Sequence, residues 1–484
     1  MQRYFRTILT ALLLTSAVAR VQAFSLLGPW ATWQTVTLGY QWAGDIGGPM
    51  NINEGYRWPI PVITYAYDAT FLKYYGTDGV NAVEAAIKIY NDLPSADSMS
   101  ADLSEFPLEQ YRYHPTAGAL GIIDLKTYIL GRILEQFYAA ASAERFTFTL
   151  RSQIVSPAGD PRQFFSVVTR NFDPITWNTS PYVNNVLYTY TIFKENDTPT
   201  WQAVVSGVDS LAPELTSLSG FAGFNGSDFG IRGFLKARLP GGYFGGLTRD
   251  DAGQIRFNLR STALNVETLF ADVVGGTQTS VGSGDSTSSP WSLVTSITNT
   301  TGTSFLTNGF PVVQTALRPG VGKYKFVRLN FDSLIGSTLN PYAINWQDRY
   351  VSNKVSKTQT VSRLVTQPDL LISSGDYGVV SPSGAPVTSI HTDTTGWINE
   401  SANNTSGAGG EHDGPGTTAG FHELGLSNFI RYYLNFAPVG TGVGQQDATE
   451  GVTWGHFDGT TNAPIVFPLG SSVREIENLA LGGK

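Results

Sequence analysis

Hydrophobic and polar positions follow two different periods in the first half of the chain. Residues 59–67 alternate in the manner of a strand, and the prolines at 59 and 61 suit a strand start or a sheet edge. Apolar residues then recur every three to four positions from Val80 to Tyr90, which predicts a helix beginning at Thr77 or Asp78. The same period predicts a second helix from Leu120 to Ala141. Further elements are predicted as strands at Arg145–Leu150, Phe164–Thr169 and Val186–Phe193, and as a helix capped by Thr248 and ending at Leu259.

After residue 290 the pattern is that of short strands separated by Gly, Pro and Asn. This spacing is typical of an antiparallel β-sandwich. A polar, Gly-rich loop is expected at Gly396–Gly420. The predicted strands are Trp291–Ile297, Tyr324–Phe331, Thr358–Val365, Ile430–Phe436 and Ile465–Phe467.

The change of pattern coincides with a Gly- and Ser-rich segment at residues 275–290, which is typical of a linker. With 484 residues the chain is long enough for more than one core. We therefore expect an α+β domain at residues 24–274 and a β-rich, sandwich-like domain at residues 291–484.

The first 23 residues have the features of a cleavable signal peptide. Arg3 and Arg6 precede an apolar run at residues 7–19, and Ala23 ends a sequence suited to cleavage before Phe24. That run is too short to span a membrane, and no later stretch approaches the roughly 18 apolar residues required. The expected location is therefore secreted or at the cell surface, with no transmembrane segment.

The composition of the chain excludes several classes of partner and of reaction. Charged residues make up 14% of the chain, against about 25% in an average globular protein, and the net charge is −8. A nucleic-acid partner is not expected, because phosphate binding requires concentrated Lys and Arg. The absence of cysteine excludes disulfides, thiolate catalysis and iron–sulfur clusters.

The candidate metal ligands lie in the second half, which holds four of the five histidines. Imidazole and carboxylate together suit zinc and similar metals. His422-Glu423 begins like a zinc-peptidase helix, but Leu426 stands where the second histidine is required and the glycine-rich flanks predict a loop. Histidines held by local hydrogen bonds are the simpler interpretation, so no catalytic residue and no cofactor is expected, while a turn at residues 458–462 leaves calcium open. The candidate ligands are His412, His422, Glu423, His456 and Asp458.

The front half resembles a metzincin, matrixin-like zinc-peptidase scaffold. The matching segments are Arg57–Tyr65, the helix around Val83, and Leu247–Ile255, while Asp124–Thr127 matches the start of the family's active-site helix. The family binds zinc through His-Glu-x-x-His, where this chain has Gly131, Arg132 and Glu135. The resemblance thus implies a scaffold without its metal.

Nearly the whole chain also resembles a group of secreted bacterial proteins. The residues that carry this resemblance are Gly44–Asn51, Thr358–Thr360, Gln367–Asp369 and Trp454–Asn462. It implies export and carries no activity with it.

Export, low charge and the lack of a complete catalytic motif favour a surface or extracellular-matrix protein that acts by binding or self-association. Its expected partners are further copies of itself, other extracellular proteins or glycans. The alternative is a secreted hydrolase, either a divergent metallopeptidase or a glycan-active enzyme.

Overall fold

The computed structural model describes part of the chain: residues 23–28, 48–49, 52, 57–141, 143–154, 162–194, 201–209, 218, 240–270, 272–276, 312–373, 394–398, 411–412, 417–425 and 453–467. Its α-helices are α1 Ala69–Asp92, α2 Pro115–Ala119, α3 Leu125–Tyr138 and α4 Arg249–Leu259. Single 3₁₀ turns lie at Ala96–Ser98 and Arg145–Thr147. Residues 1–22 of the predicted signal peptide, residues 277–290 of the predicted linker, and the strands predicted at 291–297 and 430–436 lie outside the described residues.

Strands outnumber helices. They are β1 Phe24–Gly28, β2 Gly48–Pro49, β3 Val62–Tyr67, β4 Tyr111–Tyr113, β5 Ile122–Asp124, β6 Ala140–Ala141, β7 Thr149–Ile154, β8 Phe164–Val168, β9 Asn171–Phe172, β10 Tyr182–Val183, β11 Val186–Lys194, β12 Trp201–Gly207, β13 Gly242–Phe244, β14 Asn265–Thr268, β15 Val273–Gly275, β16 Thr315–Arg318, β17 Lys325–Arg328, β18 Phe331–Asp332, β19 Ser337–Thr338, β20 Tyr342–Ser352, β21 Val355–Val365, β22 Leu370–Ser373, β23 Thr394–Ile398, β24 Glu411–His412, β25 Thr417–Gly425, β26 Thr453–His456 and β27 Ile465–Val466. Most of their pairings are antiparallel, and helices are few, so the described chain has the α+β character expected from the sequence.

A six-stranded sheet joins the two halves of the sequence. Its order is β17-β3-β22-β25-β23-β24, and β3 runs parallel to both of its neighbours. The contact between β3 and β22 is reinforced by Asp369, which directly precedes β22. Its Oδ2 accepts hydrogen bonds from the Thr64 backbone nitrogen and Oγ1, both at 2.8 Å. Strands from either side of residues 275–290 therefore pair within one sheet.

One helix begins at another residue than the periodicity predicts. α3 starts at Leu125 and not at Leu120, because the Asp124 side chain caps it and the residues before it form β5. In α1, Gly76 has a non-helical φ of 58° and separates two helical segments. The second segment begins directly after Gly76, in agreement with the predicted start at Thr77 or Asp78, whereas the first segment from Ala69 was not predicted. The capping of α4 by Thr248 is confirmed, with Asp251 completing a capping box.

The main core lies between the six-stranded sheet and helices α1 and α3. Trp58 is fully buried there, with the rings of Phe137 and Phe270 at centroid distances of 5.1 and 5.0 Å. Such edge-to-face contacts add to the stabilisation from burial. Among the described residues, no helix is both long and apolar enough to cross a membrane.

A buried polar network lies beside this core. Arg57 forms an ion pair with Glu267 and donates from Nη2 to the carbonyl oxygen of Arg318 at 2.9 Å. Arg318 in turn pairs with Asp348 at 2.9 Å. Desolvation raises the pKa of Glu267 to about 7, although the Arg57 charge acts in the opposite direction. The hydrogen bonds of this network join residues that are 30 to 261 positions apart along the chain.

Candidate functional site

His456 and Asp124 form a histidine–carboxylate pair where β26 runs parallel to β5. The His456 Nδ1 lies 3.0 Å from Asp124 Oδ1, and the register places Gly455 opposite Asp124. The Asp124 side chain is 1% exposed and that of His456 is 25% exposed. The carboxylate is therefore buried while the imidazole reaches the surface.

Asp124 is held in place by the start of α3. Its Oδ2 accepts hydrogen bonds from the Thr127 backbone nitrogen at 2.9 Å and from Thr127 Oγ1 at 2.7 Å. Thr127 Oγ1 also accepts a hydrogen bond from the backbone nitrogen of Phe244 at 2.9 Å. The helix cap thus fixes the carboxylate and leaves Oδ1 directed at the histidine.

The hydrogen bond to Asp124 determines which nitrogen of the His456 ring carries the proton. An ionised carboxylate only accepts, so the Nδ1 of His456 carries the proton of this hydrogen bond. In the neutral ring Nε2 is then an acceptor, which is the arrangement of a general base. By itself, the pair can orient and activate a hydroxyl group or a water molecule.

Two further ionisable side chains lie near the pair. Burial raises the pKa of Tyr243, with Asp458 and Asp124 adding to the effect and Arg112 opposing it, so its hydroxyl keeps its proton at neutral pH. Asp458 is exposed, and its Oδ1 accepts a hydrogen bond from the Thr460 backbone nitrogen at 2.9 Å. Hydrogen bonds from Thr460 lower the pKa of Asp458. Asp458 is thus engaged within its own turn.

His114 has a different, structural role next to the pair. Its Nδ1 accepts a hydrogen bond from the Ala117 backbone nitrogen at 3.2 Å and so caps α2. Its Nε2 lies 3.3 Å from the carbonyl oxygen of Asn462, which can only accept. Both ring nitrogens are therefore used, and the neutral ring packs against Phe457 with centroids 5.4 Å apart.

The remaining candidate ligands lie in strands of the six-stranded sheet. His422 and Glu423 are residues of β25, between β22 and β23, where the sequence predicted a loop. His412 belongs to β24 and is in register with Trp397. Pairing on both edges of β25 stabilises an extended backbone despite the glycine-rich flanks. Strand pairing therefore places His456 beside Asp124. It places His412, His422 and Glu423 in a different sheet.

Metal binding finds no support in the described part of the chain. No three His, Asp or Glu side chains there are grouped so that they could hold a metal ion. On α3, where the metzincin resemblance would require zinc ligands, Arg132 and Glu135 form a buried ion pair. Those two side chains are held by each other's charge.

A second candidate surface is a long hairpin formed by β20 and β21, here named the arm. Each strand has 11 residues, and the pair is continuous from Tyr342↔Val365 to Ser352↔Val355. Asn353 and Lys354 form the turn with φ values of 52° and 63°. Two successive residues in this region define a type I′ turn, which matches the twist of a hairpin.

The outer edge of the arm is open near its tip. In a two-residue hairpin Ser352 and Val355 are a hydrogen-bonded pair, so Ser356 and Thr358 direct their backbone groups away from β20. The structure agrees with this alternation, because the outward carbonyl oxygen of Thr360 accepts a hydrogen bond from the nitrogen of Gly276. Beyond that point β15 covers only Val361 to Arg363. Within the described residues, nothing pairs with the outward backbone groups of Ser356 and Thr358.

An exposed apolar turn lies at the base of the arm, between β18 and β19. Leu334 is 97% exposed, and Ile335 and Leu339 are also exposed. The turn is fixed to the start of α1, because Ser333 Oγ accepts a hydrogen bond from the Ala69 nitrogen at 2.9 Å. Such apolar side chains on a fixed turn are typical of contact surfaces.

Comparisons with protein-family models, curated proteins and solved structures found no match. The metzincin-like scaffold and the likeness to secreted bacterial proteins therefore stay predictions. The functional argument rests on the geometry of this chain alone.

Proposed function

We propose that this protein is a secreted surface or extracellular-matrix protein that acts by binding or self-association, without catalysis. The observation that carries the proposal is the open edge of the arm at Ser356 and Thr358. Residues 355–360 carry a single charge, on Lys357, so little repulsion opposes the approach of another strand. The partner that we favour is a second copy of the chain, with other extracellular proteins or glycans as further partners.

Strand addition supplies the physical mechanism. An incoming strand would complete the hydrogen bonds of Ser356 and Thr358 and extend the sheet by one strand. The exposed apolar turn at Leu334 adds surface whose removal from water favours association, by about 25 cal/mol per Å² buried. The low charge of the whole chain acts in the same direction.

The first prediction tests the edge with Thr358→Pro. Proline removes the outward N–H of residue 358, leaves the hydrogen bonds to β20 intact, and is tolerated on edge strands. We expect the mature chain, residues 24–484, to form dimers or larger species in sedimentation velocity runs as its concentration rises. The proline variant should stay monomeric at least tenfold further in concentration.

The matched control is Thr358→Ala, which removes the same side chain but keeps the N–H, and should associate as the unmodified chain does. Each run is repeated with calcium and with a chelator, since a calcium site at residues 458–462 remains part of the proposal. A monomer at every concentration would contradict self-association, and equal behaviour of the proline and alanine variants would exclude this edge.

The finer fold predictions belong to the same proposal. It includes a metzincin-like scaffold without metal in the front half and a sandwich-like arrangement in the β-rich half. On this proposal, the buried Arg132–Glu135 ion pair of α3 would lie where the family has its zinc ligands.

The Asp124–His456 pair favours a second candidate function, that of a secreted hydrolase. The histidine is oriented and partly exposed, and within the described residues its Nε2 has no hydrogen-bond partner. It could therefore act as a base toward a substrate or water beside it. On this alternative, His456→Gln should lower hydrolysis of peptide or glycan substrates at least a hundredfold while the melting temperature changes little. His114→Gln is the control, because His114 is engaged at both nitrogens and should affect stability more than rate. Absence of hydrolysis by the unmodified chain would leave the binding function as the better proposal.

A further inference from the structure

Asp250 is a buried carboxylate with incomplete hydrogen bonding. It lies in the first turn of α4 and is 1% exposed. Its Oδ2 accepts a hydrogen bond from the backbone nitrogen of Asn184 at 2.6 Å, and the backbone of Ala23 also hydrogen-bonds the carboxylate. Oδ1 has no hydrogen-bond partner within the described residues. A buried acceptor left in this state is costly.

The charged groups around Asp250 further disfavour its ionised form. Burial raises its pKa well above the ordinary value, and the carboxylates of Asp251 and Glu144 raise it further. The groups that lower its pKa are the two backbone N–H donors. Arg249, the adjacent cation, donates its Nε to the carbonyl oxygen of Phe106. These influences favour the neutral, protonated form of the Asp250 carboxyl group. A cation beside Oδ1 would instead favour the carboxylate and give this oxygen a partner.

The residue that follows Ala23 is held firmly at this place. Phe24 is 2% exposed, pairs with Phe172 between β1 and β9, and packs against the ring of Phe257 at 5.8 Å. Phe257 lies two turns after Asp250 on the same helix. Since successive backbone nitrogens in an extended chain are at most about 3.6 Å apart, the nitrogen of Phe24 lies within one residue of the group that bonds Asp250.

We propose that removal of the leader peptide places the new α-ammonium group of Phe24 in an ion pair with Asp250. The inference rests on the predicted cleavage between Ala23 and Phe24. A leader peptidase would hydrolyse that peptide bond before folding, while it is accessible. Water is consumed, the carboxylate leaves with Ala23, and the amine on Phe24 takes up a proton to become the cation that the site lacks. Processing and folding are thereby linked through one charge.

The test is a cycle of four proteins. The chain begins either at Phe24 or at Val21, and each form carries either Asp250 or Asp250→Asn. In the chain that begins at Phe24, Asp250→Asn should lower the equilibrium constant for folding at least tenfold. In the chain that begins at Val21 the peptide nitrogen of Phe24 is uncharged, so the Asp250 carboxyl group favours its neutral form. The same substitution then exchanges one neutral group for another and should have little effect.

A second measurement needs no variant that might fail to fold. Amine acetylation of the unmodified mature protein near pH 7, followed by peptide mass spectrometry, compares the Phe24 α-amine with the exposed Lys354. An α-amine normally reacts faster than a lysine at this pH because its pKa is lower. In the ion pair it should react at least tenfold more slowly than Lys354.

Either of two results would overturn the proposal. One is an effect of Asp250→Asn that is equal in both chain lengths, together with rapid acetylation of Phe24. The other is an exported protein whose first residue is not Phe24, determined by N-terminal sequencing. Neither result depends on whether the protein self-associates.

Discussion

Glu267 shows how one buried carboxyl group sets a dependence of stability on pH. Its folded-state pKa of about 7 lies above its ordinary value of 4.5, so the folded state binds more protons between these two values. The free energy of unfolding therefore falls as the pH rises through this window. We expect Glu267→Gln to remove a decrease on the order of 3 kcal/mol between pH 4.5 and 7.5.

The measurement is urea denaturation of both chains at several pH values. The two chains are compared by how steeply the free energy of unfolding changes with pH. Its absolute value is not compared, because the amide alters the contact with Arg57 at every pH. Parallel profiles for the two chains would contradict the prediction.

Asp124 is expected to contribute to stability through its cap on α3. Asp124→Ala removes the two hydrogen bonds to Thr127 and the contact with His456, and should lower the free energy of unfolding by about 1–2 kcal/mol. Asp458→Ala is the matched control, because that exposed carboxylate bonds only within its own turn and should cost less than about 0.5 kcal/mol. Equal losses in the two variants, measured by chemical denaturation, would count against the capping role.

The sequence predicted part of the Asp124–His456 site. His456 is a candidate because histidines and carboxylates cluster in the second half. Asp124 is singled out only by the metzincin resemblance, as a match to the start of that family's active-site helix, whereas the periodicity predicts a helix from Leu120. Their pairing had no signal, since 332 residues separate them and a parallel strand contact leaves no local pattern. Asp458, the nearer carboxylate in sequence, is engaged by Thr460 instead.

At the scale of elements, the tip of the arm combines a favourable turn with an unfavourable residue. Lys354 has a φ of 63°, which is costly for a residue with a Cβ, and Asn-Gly is the preferred pair in a type I′ turn. Lys354→Gly should therefore stabilise the protein by about 0.5–1 kcal/mol. Lys357→Gly, within β21, is the control and should destabilise it by a similar amount. A loss of melting temperature in both variants would contradict the type I′ assignment.

The sequence pattern predicts an element correctly where interactions between neighbouring residues determine that element. The cap at Thr248 is encoded within four residues, so the start of α4 was predicted correctly. Leu120 to Asp124 are apolar enough to continue a helix, but a cap at Asp124 and pairing with β26 decide otherwise. In β25, long-range pairing on both edges overrides the glycine-rich flanks of His422.

At the scale of the molecule, the two halves should hold together after the chain is cut. The strands on either side of residues 275–290 share a sheet, and Arg57 and Arg318 are joined through a buried network. A protease site inserted between Gly284 and Asp285 should therefore yield two fragments that elute together under native conditions and separate only in denaturant. Residues 24–274 expressed alone should lack a cooperative unfolding transition. Separate elution of two folded fragments would show that the halves are independent.

The composition change at residue 275 is real but does not mark where the strands stop pairing. Gly and Ser there report a connection between elements, and a connection within one sheet has the same composition as one between domains. The strand pairings that cross this segment, such as those of β3 with β17 and β22 and of β5 with β26, distinguish the two cases.

The position of β3 also sets the order in which the protein can mature. Its two neighbours follow it by about 260 and 305 residues, so a chain emerging with its N-terminus first offers β3 no partner until most of the sequence has been made. Contacts of such separation form slowly because the closure of long loops must precede them. β3 therefore stays without its two partners until residues 325–372 have been made. A block in synthesis before Leu370 would leave this strand with an unpaired edge, which is a site of misassembly.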